Sequence, residues 1–291
     1  MTEIRANLVK ELRERTGAGM MECKQALVRT GGDLEAAIED LRTSGMAKAD
    51  KKAGRQAAEG RIAAGRAGEA LALVEVNCET DFVGKDEHFA AFADRLAELA
   101  AARAATDVAA LAALPWPDGG TVEDARRLLV SRLGENISVR RLSLSRWSRG
   151  PHDVYLHGHR IGVLVELTGG DETLAHDIAM HVAAARPVCV RAEDVPAERV
   201  EAERRIFAAQ AAESGKPPAI VQKMVEGRVH KFLAEITLLG QPFVKDPQTS
   251  VGDLLRARGA EVHAFVRLEL GEGLERHASD FAEDVRAQLR S

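Results

Sequence analysis

Two pairs of residues in this chain have the types and spacing to act on another molecule: Asp81 beside Phe82, and His157 with His159. A carboxylate next to an aromatic ring offers an ionic and an apolar contact at one point. The two histidines, in Tyr155-Leu156-His157-Gly158-His159-Arg160, come nearest to a metal or acid–base site, yet no third ligand is evident. Structural or protein-contact histidines are the competing reading. Elsewhere Ser, His and Asp are scattered without a nucleophile-elbow motif. There is no P-loop, and the Gly-rich pieces lack the strand-then-helix context of a dinucleotide fingerprint. Cys23, Cys78 and Cys189 are far apart with no CxxC pair, and are expected to be reduced structural thiols. No catalytic residue, metal site or cofactor is therefore expected.

The elements that must position Asp81 and Phe82 are a strand and a helix. Leu71, Leu73, Val74 and Val76 form a short apolar run, and Phe89, Phe92, Leu96 and Leu99 recur at helical spacing. The turn between them holds Asn77-Cys78-Glu79-Thr80-Asp81-Phe82-Val83, and Phe82 falls outside the helical stripe. Either Phe82 staples the helix start to the sheet, or it is presented outward to a partner.

A chain of 291 residues suffices for two or three modest domains, and 45% hydrophobic with 29% charged residues is a globular composition. Aromatics are only 4%, so the core is expected to be Ala, Leu, Val and Ile in helix-rich packing. A formal charge of -5 and a pI near 6.0 argue against coating nucleic acid, which is driven by clustered Lys and Arg. A protein partner fits better. Met1-Thr2-Glu3-Ile4-Arg5 lacks a secretory layout, and no apolar run approaches the ~20 residues of a membrane span. The expectation is a cytoplasmic protein without membrane contact.

In chain order, Ile4, Leu8 and Leu12 give a first helix ending before Gly17-Ala18-Gly19. Met20 to Thr30 give a second. After Gly31-Gly32, Asp33 can cap a third with the stripe Leu34, Ile38 and Leu41. This three-helix unit, residues 1–45, has the size of a ubiquitin-associated domain. Adjacent Met20 and Met21 cannot both face the core of one helix, so either at least one is exposed as an adaptable contact for a partner groove, or both plug an irregular helix start. Residues 46–68 turn small and charged and read as a partly helical linker. Beyond them the chain repeats. Leu73-Val74-Glu75-Val76 is echoed 91 residues later by Leu164-Val165-Glu166-Leu167, and the strand around Val139 is echoed by that around Val266, 127 later. The fold class is thus α+β: a core N-subdomain at 69–145 and a C-subdomain at 146–195 with 233–271. The extra length of the second copy is a helical hairpin, 196–232. Pro196 sits at its first helical position, Val200 and Phe207 lie on one helix, Ser214-Gly215-Lys216-Pro217-Pro218 break it, and Ile220, Met224, Val225 and Phe232 form the return stripe. Residues 272–291 are left as a C-terminal module.

These segments resemble the elongation factor Ts family nearly end to end. The resemblance is carried by Thr16-Gly17-Ala18-Gly19-Met20-Met21-Glu22-Cys23-Lys24, by Asn77 to Val83, and by Gly134-Glu135-Asn136-Ile137. It continues in His157 with Arg160-Ile161-Gly162-Val163-Leu164-Val165, in Met224-Val225-Glu226-Gly227-Arg228, and in Gly240-Gln241-Pro242-Phe243-Val244. Leu114-Pro115-Trp116-Pro117 fits no family pattern. The resemblance implies a guanine-nucleotide exchange factor rather than an enzyme, binding elongation factor Tu in its GDP-bound and nucleotide-free forms during the elongation phase of protein synthesis. By that resemblance Met20 and Met21 dock on the GTPase's nucleotide domain. Thr80, Asp81, Phe82 and Val83 enter near its magnesium, and Leu133, Gly134 and His157 line the same surface. Gly240, Gln241, Pro242, Phe243 and Val244 meet a second domain, and residues 196–232 serve a homodimer.

Overall fold

Three helices form at the N-terminus where the apolar spacing requires them. Helix α1 (Ala6–Thr16) stops as Gly17 takes φ 68°, α2 (Met20–Arg29) follows, and α3 (Leu34–Lys52) begins at Asp33, whose side chain accepts the Ala36 N–H. Val9, Leu12, Cys23, Ala26, Leu27 and Ala37 close a small core, flanked by Ile4, Leu8, Leu34, Ile38 and Leu41. The computed structural model describes residues 4–274. All but the first three residues of the expected C-terminal module, 272–291, lie outside the described residues.

The expected linker is where the structure differs most from the sequence reading. Helix α3 does not end near residue 45; it continues to Lys52, burying Ala49 in the main core. Residues 59–67 are then a full strand, β1 (Glu59–Ala67), paired antiparallel with β2 (Ala70–Cys78). The small residues that disguised it as a linker are there because a helix crosses it closely. A Cβ on Gly65 would lie 2.1 Å from the Ala97 carbonyl oxygen of α5. Ile62 and Ala64 face the opposite way, into a second sheet.

After β2 come a single turn of helix, α4 (Asp81–Gly84), then α5 (Glu87–Arg103), α6 (Val108–Ala112), α7 (Val122–Leu133) and β3 (Ile137–Ser145). The Leu114–Pro117 stretch folds back on α5, its Trp116 ring 5.3 Å from Phe92 and under the Arg95 guanidinium. The second half supplies β4 (His152–His157), β5 (Ile161–Thr168), α8 (Glu172–Ala185), α9 (Ala197–Ala212) and α10 (Pro218–Ile236). It closes with the short pair β6 (Pro242–Phe243) and β7 (Asp246–Ser250), then α11 (Val251–Ala257) and β8 (Glu261–Glu269).

Two three-stranded antiparallel sheets result, ordered β1-β2-β3 and β4-β5-β8. They stack back to back through Ile62, Leu71, Leu73, Leu164, Leu268 and Leu270. Their outer faces carry α5 and α8, so the central strands β2 and β5 are covered on both sides and read as continuous apolar runs. Both central strands slip register at equivalent points, between Glu75 and Val76 and between Glu166 and Leu167, which confirms the echo of 91 residues. The other echo needs correction. Val139 pairs with Val76 and Val262 pairs with Leu167, so Val262 is the counterpart of Val139 rather than Val266. A slip of four residues preserves which face each side chain occupies, and so the misalignment matched apolar to apolar.

Helices α9 and α10 form the expected hairpin, packed through Ala211, Val225 and Val229 with Val200, Phe207, Val221 and Leu233. Pro196 precedes α9 as its cap residue, one position outside the helix. The return stripe is Val221, Val225, Val229 and Leu233 at four-residue spacing, while Ile220 stays exposed. Helix α10 runs past residue 232 to Ile236 because Val188 and the Leu238–Gly240 turn receive its end.

Between the sheets, among the described residues, one charge is fully buried, that of Glu75. Burial alone would raise its pKa, but the Gly271 N–H at 2.9 Å, the Arg141 guanidinium and Asn77 hold the carboxyl below its ordinary value. Arg140 adds a contact at 3.1 Å. Removing one partner of a buried ion cluster strands the others, at a cost of about 3–5 kcal/mol. Glu75→Ala is therefore expected to lower the unfolding free energy by that amount in urea titration. A loss of under about 1 kcal/mol would show that the cluster is not what joins the sheets.

Candidate functional site

The Phe82 turn grows directly out of strand β2. Cys78 ends the strand, and its thiol points back to the Thr80 carbonyl at 3.1 Å. Burial pushes that thiol's pKa up to about 12, so it stays protonated and serves as a donor. Thr80 caps α4, its hydroxyl oxygen accepting the Val83 N–H at 3.4 Å. Beneath the turn Gly84 rests on Gly60 of β1, where a Cβ would come 3.2 Å from the Gly60 carbonyl. Gly60 itself takes φ 131° against the Val76 carbonyl, a conformation and a gap open only to glycine.

Phe82 then projects outward, 80% exposed. Among the described residues Phe82 packs into none of the buried clusters, so it does not staple the helix start to the sheet. Asp81 is exposed as well. Lys85, one helical turn on, donates to its carboxylate at 2.6 Å and holds its pKa below the ordinary value. The pair leaves an ionised carboxylate and a bare aromatic ring side by side on a rigid base.

Two carboxylates not singled out as functional in the sequence hold this turn. Glu135 accepts from the N–H groups of Glu79 and Thr80 at 3.1 and 3.0 Å and from the Thr80 hydroxyl at 2.6 Å. Glu79 answers across the gap by accepting the Asn136 N–H at 2.6 Å. These contacts bring Leu133 and Gly134 beside residues 80–83. Gly134 ends α7 with φ 80° and is exposed, its carbonyl taken by Lys52, whereas Leu133 is half-buried against the core. His157 lies exposed at the end of β4, hydrogen-bonded to the Tyr155 hydroxyl at 3.2 Å. The turn after it docks on β1, where the Ile62 N–H reaches the His159 carbonyl at 2.8 Å, two residues from the Gly60 that underlies α4.

Met20 and Met21 are both exposed, 59% and 64%, on the separate N-terminal bundle. Residues 240–244 divide by face. Gly240, Pro242 and Val244 are exposed, but Gln241 and Phe243 are buried, so those two shape the segment rather than offer it. Their anchor is His181, fully buried in α8. Its Nδ1 accepts the Val244 N–H at 3.2 Å, which places the ring proton on Nε2, donated to the Gln241 side-chain oxygen Oε1 at 3.1 Å. The Gln241 amide is spent on the Ala185 and Glu235 carbonyls. His181 stood inside an apolar helical stripe, and nothing local marks it. Cavities of about 370 and 410 Å³ open between α11 and β8 and between α5 and α7, and neither is lined by residues 80–83. Among the described residues no helix is long and apolar enough to cross a membrane.

A protein-family model described as Elongation factor TS matches residues 79–272, from the clamp residue Glu79 to the residue held by Arg140 and Arg141. The chain belongs to the elongation factor Ts family. It is 59% identical to an Elongation factor Ts of Thioalkalivibrio sulfidiphilus and 58% identical to one of Methylococcus capsulatus, each over 99% of both chains. An Elongation factor Ts of Legionella pneumophila is 52% identical over the full length of both. Family membership makes this a translation elongation factor.

His181 gives the site a pH dependence with a definite sign. Burial pushes its pKa below the ordinary 6.5, against the Gln241 hydrogen bond that raises it. The unfolded chain therefore binds the extra proton first. Stability is full above about pH 6.5 and falls on acidification until the folded imidazole also titrates, with a limiting slope of about 1.4 kcal/mol per pH unit. Unfolding titrations across that range should show the slope in the wild type and a flatter line in His181→Gln. Equal slopes would remove His181 from the account.

Proposed function

We propose that the chain is the guanine-nucleotide exchange factor of elongation factor Tu, acting through Phe82 as a wedge. The observation that carries this reading is an aromatic ring 80% exposed on a turn made rigid from three sides. Leaving such a ring in water forgoes roughly 1.5–3 kcal/mol of burial, which a partner's crevice recovers on binding. Exchange is linkage: whatever binds the nucleotide-free GTPase better than the loaded one must weaken nucleotide binding reciprocally. A thousandfold faster release asks for about 4 kcal/mol off the barrier. Phe82 displaces the elements that hold magnesium and phosphates in the GTPase, and ionised Asp81 competes for the oxygen-ligand network that the cation organises. GDP leaves and GTP enters, with no covalent step on this chain.

The other surfaces supply docking. Met20 and Met21 contact the nucleotide domain of the GTPase, and Gly134 and His157 line the surface around the wedge with Leu133 behind them. Gly240, Pro242 and Val244 meet a second domain, while Gln241 and Phe243 support them from inside. The test is release of labelled GDP from elongation factor Tu. Phe82→Ala should slow it at least tenfold while leaving the melting of the free protein unchanged. Met20→Ala with Met21→Ala should instead weaken binding about tenfold. Normal release by a folded Phe82→Ala variant would sink the wedge.

The hairpin α9–α10 packs mainly on itself and leaves Ile206 and Ile220 exposed, which supports a role in homodimer formation. Replacing residues 197–236 with a short Gly/Ser loop should leave the two sheets folded and a monomer in light scattering. An intact protein that is monomeric at high concentration would defeat the dimer.

A further inference from the structure

We propose that Glu135 is the positioning residue of the Phe82 turn: from the α7–β3 junction its carboxylate sets the direction in which the ring leaves the scaffold. The inference rests on the exchange reading above, and it assigns Glu135 an effect on exchange that runs through Phe82 and not through contact with the partner.

Helix α4 cannot hold its own shape. Four residues give one turn, and a first turn costs more in fixed dihedrals than its hydrogen bonds return. Phe82 adds no packing of its own. Val83 packs on the core and Gly84 rests on Gly60, which seat the far end of the turn; its beginning is fixed by the cap, and the cap is set by Glu135. Thr80 has one hydroxyl proton, and it is committed to Glu135 Oε1 at 2.6 Å. The oxygen lone pairs are thereby left for the Val83 N–H at 3.4 Å. One carboxylate thus orients the hydroxyl that starts the helix carrying the ring. Its other oxygen takes the N–H groups of Glu79 and Thr80, the last two backbone donors before α4. Hydrogen bonds to an ionised acceptor are roughly twice as strong as neutral ones, so this grip outweighs the cap bond it supports.

The anchor behind Glu135 is firm. Gly134 turns the chain out of α7, and Asn136 binds the Arg55 carbonyl at 2.7 Å while its own N–H goes to Glu79. Each of two adjoining chain segments therefore hands a carboxylate to the backbone of the other. Glu135 itself is only half-buried, and the turn it grips is largely exposed, so losing it loosens the turn and spares the core.

Stopped-flow release of fluorescent GDP from elongation factor Tu tests this with the full-length wild type, Glu135→Ala, Glu135→Gln, Phe82→Ala and the Glu135→Ala/Phe82→Ala double variant. Amide hydrogen exchange of the free proteins runs alongside. With the competent turn reduced to about a tenth of the population, Glu135→Ala should release GDP about tenfold more slowly. The Val83 amide should exchange faster while those of Leu73 and Val74 do not change. On the Phe82→Ala background, Glu135→Ala should add nothing. Glu135→Gln keeps an oxygen for the backbone donors but cannot accept the Thr80 hydroxyl, so its loss should be several-fold and smaller than that of Ala. If Glu135→Ala fails to fold, this variant carries the test, and its normal release would overturn the proposal. An equal slowing by Glu135→Ala with or without Phe82 would also overturn it, by making Glu135 a partner contact. Slow release from Phe82→Ala but normal release from Glu135→Ala defeats the clamp and leaves the exchange reading standing. Normal release from Phe82→Ala defeats the exchange reading itself.

Discussion

The carboxylate of Glu75 is fully buried between two sheets, and such a charge is tolerable only when its oxygens are engaged. Arg140 and Arg141 reach it from β3, Asn77 from its own strand, and the Gly271 N–H from the end of β8. The same two arginines continue to the Glu269 and Glu272 carbonyls. The last strand of the second half is thus fastened to the central strand of the first by groups that cannot be parted cheaply. Strand β2 bears this cluster near its end and the Phe82 turn just beyond it. The wedge proposed for Phe82 would need a base that does not yield, and the cluster lies where that turn begins.

Close approach is the second constraint. The two sheets touch so tightly that a Cβ on Gly162 would strike Ile62 and Leu73, and α5 crosses β1 at the distance Gly65 permits. With aromatics at 4% of the chain, this core gains its density from small residues brought near rather than large ones interlocked. Backbones that cannot slide transmit force without deforming, which the proposed wedge requires.

The three surfaces proposed as partner contacts differ in how they are held. Met20 and Met21 sit on a bundle tied to the core by the continuous helix α3, the Phe82 turn on the first sheet, and the 240–244 segment on α8 through His181. Two of the three stand on polar supports: the half-buried carboxylate of Glu135 under the turn, the buried imidazole of His181 under Val244. Apolar side chains provide the contact, and directional hydrogen bonds decide where it stands.

Periodicity along the chain determined the three N-terminal helices, the strand and helix around residues 71–99, the hairpin with its break, and the doubling of the central strands. It also isolated Phe82, because a ring off its helical stripe is detectable without any structure. Tertiary structure alone decided the rest. Strand β1 hid in a run of small and charged residues, since its small side chains answer to α5, some thirty residues later in the chain. The β8 counterpart slipped by four because an even slip leaves the apolar face unchanged. Glu135 met its backbone donors in a turn 55 residues earlier, and Gln241 and Phe243 turned inward to meet a histidine on helix α8. Local spacing encodes which face of an element is apolar. It carries no record of which distant backbone donors a carboxylate or an imidazole will meet, because those encounters exist only once the layers have packed.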